Sequence, residues 1–353
     1  MSRRERVAAA LHRAGALSAM LQLRRLAPMP SVVCILTYHH VADDDPEYPY
    51  DPGVADATPA QFRRQMEMLA RHGTPIGIDE LIAGLDGAPL PKNPVMVTFD
   101  DGYRSCHDVA LPILRAVGLR ATFFVATSFI SERRVYWWER IAITLKQARR
   151  EVGRLAYPAP LEVACRDPRA QHVLTDVIKN AHDLDVERFL DDVSRAFGVE
   201  WTPELEAKHA ENVVMTWDQV RALARAGMDV ESHTRRHRVL QRLGDAELRD
   251  ELGGSRQELE AQLGRPVRAI AYPVGRRIAH HRRIREAIAD AGYRIGLSNA
   301  SGVTRIWPGP LRAMLPADPF DVCRLSTDRA MSDAMFMTQV AVPSLAYISR
   351  NRD

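Results

Sequence analysis

Lysine is almost missing from this sequence. Only Lys92, Lys146, Lys179 and Lys208 appear, and arginine carries nearly all the positive charge. Lys+Arg 48 against Asp+Glu 45 leaves a formal charge of +3. That lacks the concentrated basic face of bulk nucleic-acid binding, so no nucleic-acid partner is expected. Cysteine is scarce as well. Cys34, Cys106, Cys165 and Cys323 are scattered without a CxxC, which argues against a cysteine metal knuckle and for free thiols over a disulfide framework. No run approaches the ~20 apolar residues of a membrane-spanning helix, and no internal repeat or low-complexity tract appears. What is there suits a large core: 353 residues, 46% hydrophobic and 26% charged. That length fits two domains or one α/β barrel with an insertion.

The first 28 residues imitate a secretory leader. However, His12 and Arg13 interrupt the apolar run, Arg24 and Arg25 follow it, and no small-residue cleavage site is evident. Ala8, Leu11, Leu17, Leu21 and Leu23 instead predict a basic amphipathic helix over 1–28. Two readings stand for it: a helix packed on the body of the protein, or a peripheral membrane contact through anionic lipids. Without a clear export signal, the expected location is cytoplasmic, at the inner face of the membrane if the helix binds lipid.

From Ser31 onward, short apolar strands alternate with amphipathic helices. SVVCILTYHH, Val95–Phe99, Ala121–Val125, MDVES, RAIAYP and YRIGLS read as strands. A helix opened by Thr58-Pro59 and closed at Gly73 is typical of the segments between them. This rhythm predicts a parallel α/β architecture. Polar residues gather where strands give way to loops: His39 and His40, Asp100 and Asp101, Glu231 to His233, Tyr272 and Pro273. Four such clusters from four strands favour a closed barrel, whose strand ends converge on one face. The expected organisation is a distorted (β/α) barrel over 29–353, broken by a helical insertion at about 129–214 that serves as a lid or substrate wall.

Two constellations carry chemistry. His233-Thr-Arg-Arg-His237 sets two imidazoles four apart directly after a strand, a common metal-binding arrangement; alone, the spacing is weak. Asp100-Asp101-Gly102 ends a buried strand, where two adjacent charges need a cation or a hydrogen-bond network. One aspartate with two histidines gives the three-ligand pattern of catalytic zinc. The other aspartate stays free as a base toward water. Trp137 and Trp138 are candidates to stack on sugar rings, although adjacent tryptophans more often divide between core and surface.

Thr98-Phe-Asp-Asp-Gly-Tyr103, Ser232-His-Thr-Arg-Arg-His237 and Ala271-Tyr-Pro-Val-Gly275 resemble, in order, the first three motifs of the polysaccharide deacetylases. This is the NodB-homology family, carbohydrate esterase family 4, here in a branch with an AYPxG-type third motif. Leu36–Val41 and Ala121–Val125 are also typical, and the resemblance covers about residues 32–130 and 215–300. It implies a distorted (β/α) barrel that hydrolyses N-acetyl groups of an amino sugar with a divalent metal, most often Zn2+. By position it implies Asp100 as base, Asp101, His233 and His237 as metal ligands, and the Tyr103 backbone N–H as oxyanion donor. Tyr272 and Pro273 would shape the sugar site. The implied substrate is an N-acetylated glycan; a lipid-linked glycan precursor as substrate would explain the amphipathic N-terminus.

The sequence also departs from the family. The third-motif arginine that orients the base is absent, and no histidine follows His281 to serve as the late general acid. His39, His280, His281 or a re-protonated Asp100 remain as proton donors, with His39 preferred for its place at a strand end; His280-His281 otherwise read as a solvated helix start. The missing acid leaves open a catalytically silent glycan-binding barrel. Hydrolysis of another non-peptide C–N bond, such as a cyclic ureide, is a third possibility.

Overall fold

Seven short, mostly buried runs pair in parallel and close on themselves. The structure is a computed structural model and describes residues 3–26, 31–45, 47–307 and 314–343. The strands are β1 (Ser31–Tyr38), β2 (Pro94–Phe99), β3 (Thr122–Val125), β4 (Asp229–Ser232), β5 (Ala269–Ala271), β6 (Ile295–Ser301) and β7 (Val322–Ser326). Their order around the barrel is β1-β7-β6-β5-β4-β3-β2. Closure comes from β1 against β2, with Cys34 opposite Val95 through Tyr38 opposite Phe99. Strands covered on both faces read as continuous apolar runs, and β2 is buried at every position. Thr74–Pro75 adds a short parallel edge to β2, and Thr304–Ile306 an antiparallel one to β1. The four cysteines are unpaired, as their spacing implied.

Five helices bear on the active end and the base of the barrel: α1 (Arg3–Arg13), α2 (Ala16–Leu26), α3 (Pro59–His72), α4 (Trp137–Lys146) and α5 (Asp333–Ala341). Helix α3 begins as its sequence dictates. Thr58 caps it by accepting from the Gln61 N–H, and Pro59 fills the first position. It ends at Gly73, where a Cβ would meet both methyls of Val95 at 2.6 Å.

Two expectations change here. The single helix over 1–28 is a helical hairpin, because Gly15 turns the chain in the left-handed region (φ +71°). The insertion is not wholly helical either: Val152–Leu155 and Leu161–Ala164 form an antiparallel two-stranded sheet. Four alternating residues on either side of Pro158 and Pro160 are too short to show a period. Gly153 there lies under the Phe197 ring, leaving no room for a Cβ. The rest of the insertion is helical as expected, with α4 followed by Ala170–Asn180, Val186–Ala196 and Pro203–Val213.

Candidate active site

At the carboxyl end of β2 the chain turns sharply through two left-handed residues, Asp101 (φ +73°) and Gly102 (φ +101°). Thr234 (φ +65°) and His237 (φ +54°) do the same after β4. Non-glycine residues in this region carry a conformational cost, and such positions cluster at functional sites. The turns aim three side chains at one point. Asp101 Oδ1 lies 3.4 Å from His233 Nε2 and 3.4 Å from His237 Nε2. Among the described residues, Asp101, His233 and His237 are the group whose ligand atoms all fall within 4.8 Å of one another.

The surroundings orient this cluster. His233 Nδ1 is 2.9 Å from the Ala271 carbonyl, which fixes the ring with Nε2 inward. The loop bearing both histidines is held by buried Glu251, which accepts from the Arg235 and Arg236 N–H groups. Burial pushes His237 down to about 3, so its ring is neutral and free to ligate. Burial alone would raise the Asp101 carboxyl, but His233 and His237 outweigh it and hold it below the ordinary aspartate value. Asp101 Oδ1 is buried without a hydrogen-bond partner. An orphaned carboxylate oxygen between two imidazoles matches the donor set of a divalent ion such as Zn2+.

Asp100 is the neighbouring carboxylate, and it is not part of that group. Arg324 from β7 grips it with two parallel hydrogen bonds of 2.7 Å, and both side chains are almost fully buried. Burial alone would raise the Asp100 carboxyl. The Arg324 guanidinium, with His233 and His39, overcomes that and holds it well below the usual carboxylate range. An arginine, absent from the third motif, thus reaches Asp100 in space from another strand. The sequence reading missed it because the charged residue breaks the apolar run of β7 (Val-Cys-Arg-Leu-Ser). The available signal was the short run itself, one strand beyond the last one read.

His39 lies beside this centre. Its Nδ1 is 2.9 Å from Asp56 Oδ2, and its backbone N–H donates to the same oxygen at 2.6 Å. Burial opposes its charge, yet Asp56, with Asp101 and Asp100, raises His39 to about 9. His280 and His281 are exposed at the start of the helix Arg282–Asp290, as a solvated helix start would be.

The segment around Tyr103 is clamped by the insertion. The Met215 N–H donates to the Gly102 carbonyl (3.1 Å), and Tyr103 bridges Val214. The Tyr103 hydroxyl receives the Trp138 indole N–H (2.7 Å) and donates to Glu139 (2.6 Å). Glu139 also accepts from the Asp51 N–H (2.5 Å), and burial pushes it up to about 8.

Trp137 and Trp138, expected as sugar platforms, are only 4% and 5% exposed. Their rings pack on each other and on His237, with Trp138 4.6 Å away, so they wall the histidine from behind. Tyr272 and Pro273, expected to shape the sugar site, are buried too. Tyr272 turns into the core, donates to the Phe320 carbonyl (2.8 Å) and fills the space over Gly296. The tie from this motif to the cluster is the Ala271 carbonyl. A cavity of about 960 Å³ opens in the insertion between Lys146 and Gln171 and includes none of these residues.

The family model for polysaccharide deacetylase matches residues 87–164 and 198–296, half of the chain. Among curated proteins none matches. Solved structures share the fold. The Streptococcus pyogenes deacetylase PplD, in complex with acetate, is 19% identical with a TM-score of 0.57, covering 88% of this chain and 99% of that one. The polysaccharide deacetylase BC0361 from Bacillus cereus is 15% identical with a TM-score of 0.54, covering 88% and 69%. IcaB from Ammonifex degensii is 17% identical with a TM-score of 0.52, covering 90% and 98%. At such identities these likenesses speak for the barrel alone.

Proposed function

Since the chain belongs to the polysaccharide deacetylase family, we propose that it removes N-acetyl groups from an amino sugar in a polysaccharide or glycan precursor, with a divalent ion held by Asp101, His233 and His237. The observation that carries this reading is the orphaned Asp101 oxygen set 3.4 Å from both imidazole Nε2 atoms, beside an arginine-held Asp100. An ion in that position supplies Lewis-acid polarisation of the amide carbonyl and a more acidic water.

The protein's own groups do the rest. Asp100, kept ionised by Arg324, takes the proton from the attacking water at its carboxylate. The Tyr103 backbone N–H donates to the oxyanion of the tetrahedral carbon. Protonated His39, backed by Asp56, returns a proton to the departing amine, so the C–N bond breaks to give a free amine and acetate. The silent-barrel alternative rested on a missing general acid, and the His39–Asp56 pair supports the active reading over it.

The direct test measures bound metal and acetate release from N-acetylglucosamine oligomers. Wild type is expected to carry about one ion and to release acetate. Asp100→Asn should keep the ion and lose activity, and His233→Ala should lose both. Acetate release that survives Asp100→Asn removes this reading. The same reading keeps a cytoplasmic setting; fractionation that finds the protein exported removes that part alone.

A further inference from the structure

The end of the barrel farthest from Asp100 and Asp101 is covered by the α1–α2 hairpin. Asn93, just ahead of β2, donates to the Leu21 carbonyl at 2.8 Å. Arg25 donates to the His72 carbonyl at the end of α3, and Arg24 to the Ala341 carbonyl at the end of α5. The six residues of β2, roughly 20 Å of extended chain, separate this base from Asp100.

The inner side of the hairpin is filled by Ala8, Leu17 and Leu21, all buried. Among the described residues nothing covers the outer side. Seven large hydrophobic residues are exposed among the described residues, and four belong to this hairpin: Val7 (53%), Leu11 (37%), Met20 (43%) and Leu23 (66%). They stand four apart on α1 and three apart on α2, so each helix carries an apolar stripe turned away from the barrel. Exposed Ala10, Ala14 and Ala19 widen the stripes. Around them lie six arginines (Arg3, Arg4, Arg6, Arg13, Arg24 and Arg25) against a single acid, Glu5. Single exposed leucines need no explanation. Apolar stripes and excess arginine on one element are the pattern of helices lying in a headgroup layer.

We propose that the α1–α2 hairpin docks on an anionic lipid bilayer, with the barrel base toward the lipid and the Asp100–Asp101 end facing away. Val7, Leu11, Met20 and Leu23 enter the boundary between headgroups and acyl chains, and Arg3, Arg4 and Arg6 meet lipid phosphates. Charge selects this occupant over a second copy, since two such hairpins bring the exposed Arg3, Arg4 and Arg6 of each face to face. The orientation also bears on the glycan. A sugar next to its lipid anchor lies at the wrong end of the barrel, whereas a chain extending into solution reaches the right one. This docking stands independently of the proposed chemistry.

The test is co-sedimentation of the full chain with phosphatidylcholine vesicles, with and without phosphatidylglycerol, at low and high salt. The expected result is pelleting only with phosphatidylglycerol, and release by salt. The quadruple variant Val7→Asp, Leu11→Asp, Met20→Asp, Leu23→Asp, and separately Arg3→Gln, Arg4→Gln, Arg6→Gln, should each weaken binding on the order of tenfold or more. Both should keep the wild-type thermal transition. Acetate release from soluble oligomers should be unchanged, which separates a failure here from a failure of the proposed chemistry. Absent binding, equal binding to pure phosphatidylcholine, or unchanged binding in either variant overturns the proposal. A concentration-dependent dimer abolished by the aspartates overturns it too, and assigns the face to a second copy.

Discussion

Arg324 Nη1 and Nη2 meet Asp100 Oδ1 and Oδ2 at 2.7 Å each, across 224 positions of sequence. The guanidinium also lies over the Phe124 ring, and its Nη1 reaches the Thr98 hydroxyl. Two charges so deeply buried are tolerable only because each is the other's partner.

Removing one member should therefore be severe. Arg324→Met leaves a buried, unpaired carboxylate and should cost about 3–5 kcal/mol at neutral pH. The direction with pH is set by the lowered carboxyl. In the wild type the pair's contribution is fully present above the ordinary aspartate pKa and is lost as pH falls through the depressed value. Without Arg324, burial pushes Asp100 upward, so the acid limb of acetate release should move to higher pH. Arg324→Lys should not restore it, because an ammonium cannot make the two parallel bonds. Urea unfolding together with a pH–rate profile checks this; an acid limb that stays put in Arg324→Met defeats it.

How far the sequence carries is clear from these same residues. Asp100, Asp101, His233 and His237 were legible because each ends a strand and because a barrel gathers strand ends. The barrel was legible from the strand–helix rhythm up to β6. Arg324 was not, since a buried arginine inside a five-residue strand looks like a surface residue until its partner is known. The placement of the Tyr272 ring was not legible for a related reason. Its motif position points toward the site, but the hole over Gly296 that accepts its ring exists only in three dimensions. The insertion hid its small sheet because four-residue strands offer too few positions for a period.

The orphaned Asp101 oxygen predicts how the fold responds to metal. Zinc added to metal-stripped protein should raise the melting temperature, in line with a gain of about 2.7 kcal/mol at a hundred times the dissociation constant. His237→Ala should remove most of that gain. Differential scanning calorimetry reads both, and an identical shift in wild type and His237→Ala places the ion elsewhere.

His39 makes a second prediction about pH. A group raised to about 9 stays protonated through neutral pH, so a proton donor here is loaded and is lost as pH rises past that value. The stability it brings has the same sign: it is full below the ordinary histidine pKa and disappears as pH climbs through about 9. Asp56→Asn removes the main raising charge and should bring the alkaline limb of acetate release down toward neutral pH. His39→Gln should abolish the limb along with most of the rate. An alkaline limb that ignores Asp56→Asn counts against His39 as the donor.

The last prediction concerns Glu139, the residue through which the insertion reaches the catalytic turn. Glu139 holds the Tyr103 hydroxyl from one side and the Asp51 N–H from the other, while Trp138 donates to the same hydroxyl and its ring backs His237. The Tyr103 side chain, together with the Met215 N–H on the Gly102 carbonyl, holds the turn that carries the Tyr103 backbone N–H. Removing an oxyanion donor outright typically costs about 100- to 1000-fold in rate. Loosening it through Glu139→Ala should cost less, on the order of tenfold to a hundredfold in kcat, with KM little changed. Tyr103→Phe keeps the backbone but strands both Glu139 and the Trp138 N–H, and should destabilise by about 1–3 kcal/mol. Zinc content should stay at the wild-type level in both, because neither touches Asp101, His233 or His237. Steady-state kinetics on soluble oligomers decides the matter. A raised KM with kcat intact would make the insertion a substrate wall, whereas a fall in kcat at constant KM makes it the brace of the catalytic turn.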